Sequence, residues 1–455
     1  MRKFISGTLN KINGSYWLRS GSFTFLNKFF VTLFAFVNFY ILIRVLSKED
    51  FGAWVLFISV ASLMELIKHG FVRNPLIRFL AMSPGEESSR IQTASLVLNV
   101  IVGALEVLVL FLCSIYLSRF WDAPQMQELF RIYMFSTAFL VPINHFEVVQ
   151  QARMQFKGTF VSNFVRHLGL FLFVVTVFAL GYTIRLDHLA YAQMISILLS
   201  GFVCFQYARP YLSFSRRIDW TWLRELRSYG FFTLGTNVSS MVNKSIDSWM
   251  LGKLLSPAAV TFFNPAIRIS NLVEVPADTL SHIMFPKLSE RIAKEGPQSA
   301  RYLYEKAVGT ITAFMLPVIA FFIVFADPII WFIAGPGFDQ TVPILQITML
   351  YGLMMPLNRF MGITLDAIGK AKTNFLFVLR NAIFNIVSNY FFISHFGIIG
   401  AAYGTLTTYV VITTINQIYL HRHMGVRVSN IMRHLAESYT KVFSTGVKIL
   451  KQSFG

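Results

Sequence analysis

Charge is scarce in this chain. Only 14% of its 455 residues are Asp, Glu, Lys or Arg, while 55% are hydrophobic and the mean hydropathy is +0.57. Soluble domains carry roughly a quarter charged residues, so this composition excludes a water-soluble globule and indicates a membrane protein. Cysteine is scarcer still. Cys113 and Cys204 both lie in apolar runs, which excludes a disulfide framework and a cysteine metal cluster. The chain also lacks a glycine-rich phosphate loop and a nucleophile–base set, so no catalytic residue, bound metal or resident cofactor is expected. Acidic residues are the rarer sign, 22 against 40 basic, giving a net charge of +18. A nucleic-acid partner would need those basic residues gathered on a solvated domain, and there is none. Residues 1–21 contain Arg2, Lys3, Lys11 and Arg19 without a small-residue cleavage pattern, so the first apolar run is expected to be a retained span.

Long apolar runs are what the chain has in abundance. Windows of ~20 residues, the length needed to cross ~30 Å of hydrocarbon, fall at 22–44, 52–72, 91–117, 129–150, 159–183, 188–208, 229–252, 258–285, 304–326, 341–364, 374–394 and 398–421. The expected fold is therefore an all-α integral membrane protein of about 12 transmembrane helices. Alternate connections differ in charge. One set holds only Arg44, Lys48, Arg119, Arg185 and Lys253. The other holds groups such as Lys68, Arg73, Arg78 and Arg90, or Arg216, Arg217, Arg224 and Arg227. By the positive-inside rule both termini are expected in the cytoplasm of a cell with a multi-pass inner membrane protein. The basic, aromatic stretch 209–228 separates six helices from six. It is read as a linker between an N-terminal lobe (1–208) and a C-terminal lobe (229–421), with a cytoplasmic tail at 422–455.

The halves repeat. "PINHF" (142–146) and "PLNRF" (356–360) stand 214 positions apart, and at that offset Thr159 meets Thr373 and Arg166 meets Arg380. At an offset of 209, "RVLSKEDFGAW" (44–54) meets "KLLSPAAVTFF" (253–263), Asn38 meets Asp247, and Glu65 meets Glu274. An even number of helices per copy makes the repeats parallel, and such repeats place a substrate site, here a central cavity, between lobes. In the repeated pentapeptides the prolines break backbone bonds. Asn144 and Asn358 are expected to help satisfy the freed carbonyls.

Taken together, "NKSIDSWMLGKLLSPAAVTFFNPAIRI", "MFPKLSE", "DPIIWFIAGPGFDQTVPILQI", "LDAIGKAKTNF" and "HFGIIGAAYGTL" resemble the second half of Wzx-type oligosaccharide flippases of the MOP superfamily. The resemblance runs over about residues 22–423. It implies a two-lobed, MATE/MOP-like transporter, not an enzyme. Such a transporter moves a polyprenyl-diphosphate-linked oligosaccharide, an O-antigen or other lipopolysaccharide or surface-polysaccharide unit of the cell envelope, from inner to outer leaflet by alternating access. Its partners would be that glycan, membrane lipids and other polysaccharide-assembly proteins.

Ionisable residues inside the spans are expensive and usually face a cavity or a partner. Lys28, Arg166, Lys244, Arg268, Arg359 and Arg380 are the candidate substrate-binding cations, with Arg131 near enough to an end to snorkel. Asn237, Ser240, Lys244 and Asp247 share one helical face, as do Asn264, Arg268, Asn271, Glu274 and Asp278, Thr24, Lys28 and Asn38, and Glu65 and His69. Lys28, Lys244 and Arg268 suit a diphosphate ladder. Internal pairing, Lys244 with Asp247 for instance, is the alternative. Glu65, Glu106, Asp247, Glu274 and Asp278 are candidates for coupling to H⁺ or Na⁺, or for neutralising neighbouring cations.

Periodic apolar residues at Val428, Ile431, Leu435, Tyr439, Val442, Val447 and Leu450, and at Phe4, Leu9, Ile12, Tyr16 and Trp17, indicate interfacial helices at the two ends. Three other functions compete. A MATE-type drug or metabolite exporter would favour acids where the first helix has Lys28. A polysaccharide polymerase or ligase would need a sizeable outer loop. A lipid II flippase would resemble a fourteen-helix chain.

Overall fold

The computed structural model describes residues 16–83, 85–296 and 299–440, and these form helices joined by short connections. No strand occurs among the described residues. The first six helices are α1 (Tyr16–Val45), α2 (Lys48–Met82), α3 (Glu86–Phe120), α4 (Gln125–Ala152), α5 (Phe156–Ala179) and α6 (Leu186–Ala208). A single 3₁₀ turn, Arg209–Tyr211, precedes α7 (Trp220–Leu254), α8 (Pro257–Glu295) and α9 (Ser299–Val324). Then come α10 (Ala326–Ala334), α11 (Thr341–Gly352), α12 (Met355–Ala367), α13 (Ala371–Phe396) and α14 (Ile398–Met424). A tail helix, α15, covers 428–440. Each of the twelve expected spans is mostly helix, the fifth running four residues past the end of α5. Among the described residues, nine helices are long and apolar enough to cross a membrane. Helices α7 and α8 are absent from that set and are also the helices carrying Lys244, Asp247, Arg268, Glu274 and Asp278.

Two repeated prolines have different outcomes. Pro142 sits inside an unbroken α4, whereas Pro356 opens α12 after a break at Leu353 and Met354, so the expected tenth span is two helices. Proline is favoured in a first turn because its missing N–H would be unpaired there anyway. Asn358 Nδ2 donates to the Met354 carbonyl at 3.3 Å, which also accepts the Asn358 backbone N–H and is not the Gly352 carbonyl that Pro356 leaves without a donor. The buried Nδ2 of Asn144 has no partner among the described residues.

The chain divides into two compact units. The first reaches to Val242 and includes Ser256–Ala258; the second comprises Asn243–Leu255 and the chain from Ala259 onward. The expected linker is mostly structured. Its last residues are the first turns of α7, where Trp222, Leu223 and Leu226 pack on Phe79, Leu76 and Leu80 of α2. The Trp222 and Phe79 rings lie 5.2 Å apart. Burial of this aromatic and aliphatic surface outweighs any tendency of the basic segment to stay extended in water.

The repeat is visible in packing. In the first unit α3 packs on α4, α4 on α6, and α5 on α6; in the second, α9 packs on α11 and α12, α11 on α14, and α13 on α14. The pairing of α1 with α5 has its counterpart in the hydrogen bond that Asn389 of α13 donates to Asp247 of α7, and that of α2 with α4 in an ion pair between α8 and α12. Helices α13 and α14 turn on Gly397, at φ +64°, a conformation that strains any residue with a Cβ. They then lie unusually close. A Cβ at Gly404 would sit 2.3 Å from the Asn389 side chain, so only glycine lets α14 approach here.

Candidate functional site

Asp247 on α7 is buried, and its partners in the second unit are neutral. Asn389 Nδ2 of α13 donates to one carboxylate oxygen at 2.5 Å, and Thr405 Oγ1 of α14 donates to the other at 3.0 Å. Asn389 also donates to Asn385 Oδ1 at 2.6 Å, while its own buried Oδ1 has no partner. Two oxygen-bearing side chains thus meet the carboxylate directly, and Asn385 joins them through Asn389. Lys244, three residues before Asp247, is exposed and takes no part in an ion pair among the described residues. Lys28 on α1 is likewise exposed and makes no such pair. Its neighbours Phe29 and Leu33 are exposed apolar residues.

The remaining candidates have partners. On α8, Arg268 is half-buried and its Nε donates to Asn264 Oδ1 at 2.9 Å. One face further along, Asp278 accepts from Arg359 of α12. Glu274 is half-buried and forms no ion pair among the described residues. Arg380 on α13 donates to Asn416 Oδ1 at 2.6 Å and to Asn381 Oδ1 at 3.2 Å, with its guanidinium 4.7 Å from the Phe377 ring centroid. In the first unit, Arg166 donates to Glu65. Glu106 on α3 meets Lys68 of α2 at 2.9 Å.

Lys68 is a correction. It counts with the inner connections in a topology tally, yet it is fully buried because α2 runs on through Pro75 to Met82. Thirty-five residues of helix span roughly 50 Å, more than the hydrocarbon core. The expected end of the second span is therefore mid-helix. The sequence reading also missed Asn385, Asn389 and Thr405. Their signal was available: Asn385 and Asn389 stand four apart in an otherwise apolar helix, and so share a face. The side chains of Thr24, Asn237, Ser240 and His69 lie outside the described residues, as do residues 1–15 and 441–455 with Phe4, Leu9 and Ile12 and the last turns of the expected tail helix.

The described residues form two all-helical units with ionisable residues inside their long helices, and this is the fold of MOP superfamily proteins. The fold matches lipid II flippase MurJ in an inward closed conformation, with a TM-score of 0.74 at 15% identity, over 94% of this chain and 92% of that one. It also matches a multidrug resistance MATE family transporter of the MOP superfamily in its inward-facing conformation, with a TM-score of 0.74 at 15% identity, over 87% and 94%. The chain belongs to the polysaccharide biosynthesis protein family, whose model matches residues 41–343. It is similar to the lipopolysaccharide biosynthesis protein WzxC of Escherichia coli, 22% identical over 84% of this chain and 75% of that protein. It is also similar to the probable low-salt glycan biosynthesis flippase Agl15 of Haloferax volcanii, 20% identical over 45% of this chain and 43% of that protein. The chain spans about half the length of two of the curated relatives it matches.

Proposed function

We propose that this protein is a flippase carrying a polyprenyl-diphosphate-linked oligosaccharide from the inner to the outer leaflet of the cytoplasmic membrane by alternating access, with both termini cytoplasmic. The observation that carries this reading is a pair of exposed lysines, Lys28 and Lys244, on the first helix of each repeat, without an ion pair among the described residues. A cation at membrane depth calls for an anionic counterpart or a hydrated cavity, and a diphosphate supplies a counterpart that is present only when cargo is bound. Arg268, half-buried on α8 with its Nε donating to Asn264 Oδ1, is the third cation of the same set. Arg166 and Arg359 already face carboxylates, which favours a framework role for them. The names of WzxC and Agl15 support the substrate class.

Coupling is assigned to Asp247. A buried carboxylate held only by an amide and a hydroxyl, beside an unpartnered amide oxygen, is suited to a proton or to a small hard cation, which prefers oxygen ligands. Glu65, Glu106 and Asp278 each face a cation instead. The carboxylate of Glu274 remains a second candidate.

The test is reconstitution into vesicles with a labelled polyprenyl-diphosphate oligosaccharide, measuring label exposed on the far side. Ala at Lys28, Lys244 or Arg268 should lower transport about tenfold or more, by loss of one charge-assisted contact, with protein abundance unchanged. Arg268→Glu should abolish it. Asp247→Asn should remove the dependence on a pH or Na⁺ gradient. Transport by all three Ala variants at the wild-type rate would refute the cargo assignment. Export of organic cations in place of the lipid-linked glycan would establish the exporter alternative.

A further inference from the structure

Helices α4 and α6 of the first unit start at the same end of the lobe and enclose a groove of about 720 Å³. Its mouth is polar and its length apolar. On α4, Glu128 and Arg131 lie one turn apart, followed on the same face by Phe135 and Phe139; on α6, Tyr191 and Leu198 form the opposite wall. All six are exposed, Phe135 to 69%. Arg131 lies six residues into α4 and Tyr191 five into α6. At ~1.5 Å per residue both are within ~10 Å of the helix starts. From Arg131 to Phe139 the groove then descends ~12 Å, close to one leaflet of a ~30 Å hydrocarbon core.

Two opposite charges share this mouth without joining each other. Neither Glu128 nor Arg131 forms an ion pair among the described residues, although their one-turn spacing is suited to it. The geometry points to a binding site for a phospholipid with an ethanolamine headgroup, its phosphate on Arg131, its ammonium on Glu128 and one acyl chain along Phe135, Phe139 and Leu198. Arg131 provides a fork that matches phosphate oxygens, and Glu128 accepts from an N–H donor, which choline lacks. A glycerol headgroup would bring only neutral hydroxyls to Glu128, a weaker counterpart than an ammonium. This site is separate from the cargo reading, since it uses none of Lys28, Lys244, Arg268 or Asp247.

The full chain, purified in detergent, would be titrated with palmitoyl-oleoyl phosphatidylethanolamine, phosphatidylcholine or phosphatidylglycerol and its lipid adducts read by native mass spectrometry. The wild type should hold the ethanolamine lipid about tenfold more tightly than either of the others, the equivalent of one charge-assisted hydrogen bond. Glu128→Gln should erase that preference, Arg131→Ala should weaken all adducts, and Arg131→Lys should restore most of the binding. Both side chains are exposed, so the variants should keep the elution profile of the wild type. Equal retention of the three lipids by the wild type would overturn the site. So would ethanolamine-lipid binding that neither Glu128→Gln nor Arg131→Ala changes.

Discussion

Lys68 and Glu106 meet at 2.9 Å with almost no exposure of either side chain. Two charges removed from water are stable only as a pair, and removing one partner leaves an uncompensated charge at a cost of about 3–5 kcal/mol. Lys68→Ala should therefore lower the thermal unfolding temperature of the purified protein sharply. The double variant Lys68→Met with Glu106→Leu, which replaces the pair by apolar side chains, should recover most of that loss. A double variant as unstable as the sum of the singles would mean that each residue has an independent partner. The same logic separates Lys28 and Lys244 from the other cations. Both are exposed, so their loss strands no buried charge, and their Ala variants should be impaired in transport while remaining folded.

One buried carboxylate gathers the start of the tail helix. Glu305 on α9 is buried to 3% exposure and accepts from the Arg427 backbone N–H at 2.8 Å, from Asn430 Nδ2 at 3.0 Å and from Arg301 Nε at 3.1 Å. Further along, Tyr439 donates its hydroxyl hydrogen to the Ala313 carbonyl at 2.8 Å. Gly309 admits the tail backbone, since a Cβ there would lie 2.6 Å from the Ile431 carbonyl oxygen. The expected interfacial helix is thus docked on its own lobe over 428–440. Its outward face keeps Val428, Met432 and Arg433 exposed. Glu305→Ala leaves three donors unpaired, a loss of about 1–3 kcal/mol for the least replaceable of them. It should expose Arg427 and Arg433 to trypsin. Cleavage at the wild-type rate would show that apolar packing alone holds the tail.

The Lys and Arg asymmetry predicts a topology for the whole molecule. Reporter fusions at Asp219 and Glu295 should respond as cytoplasmic and one at Gly337 as external. Asp219 precedes α7, Glu295 closes α8, and Gly337 lies between α10 and α11. An external signal at Asp219 would overturn the two-lobe arrangement. The burial of Lys68 removes one cation from the inner tally, yet Arg216, Arg217, Arg224 and Arg227 remain around the start of α7. The family match over residues 41–343 covers all of the first repeat's helices from the end of α1 and extends into the second.

The sequence by itself determined the long helices, apart from the break at Leu353 and Met354 and the short α10, and the repeat. Hydrophobic runs of membrane length admit only helix or closed barrel, because every backbone group must be satisfied within the hydrocarbon. The repeated Asn38/Asp247, Glu65/Glu274 and Arg166/Arg380 positions needed only an alignment of the chain on itself. It also named the ionisable residues of the candidate site. Only tertiary structure decided which of them are paired. Glu65 and Arg166 are 101 positions apart, Asp278 and Arg359 are 81 apart, and Asp247 and Asn389 are 142 apart. Periodicity along one helix assigns a face but not the residue that faces it from another. Glu65 and Glu274 illustrate the limit: equivalent in the repeat, one meets an arginine and the other makes no ion pair among the described residues. Pairing across helices depends on their rotation and depth, and these are set by packing such as the close approach at Gly404, which a linear pattern of residue types does not encode.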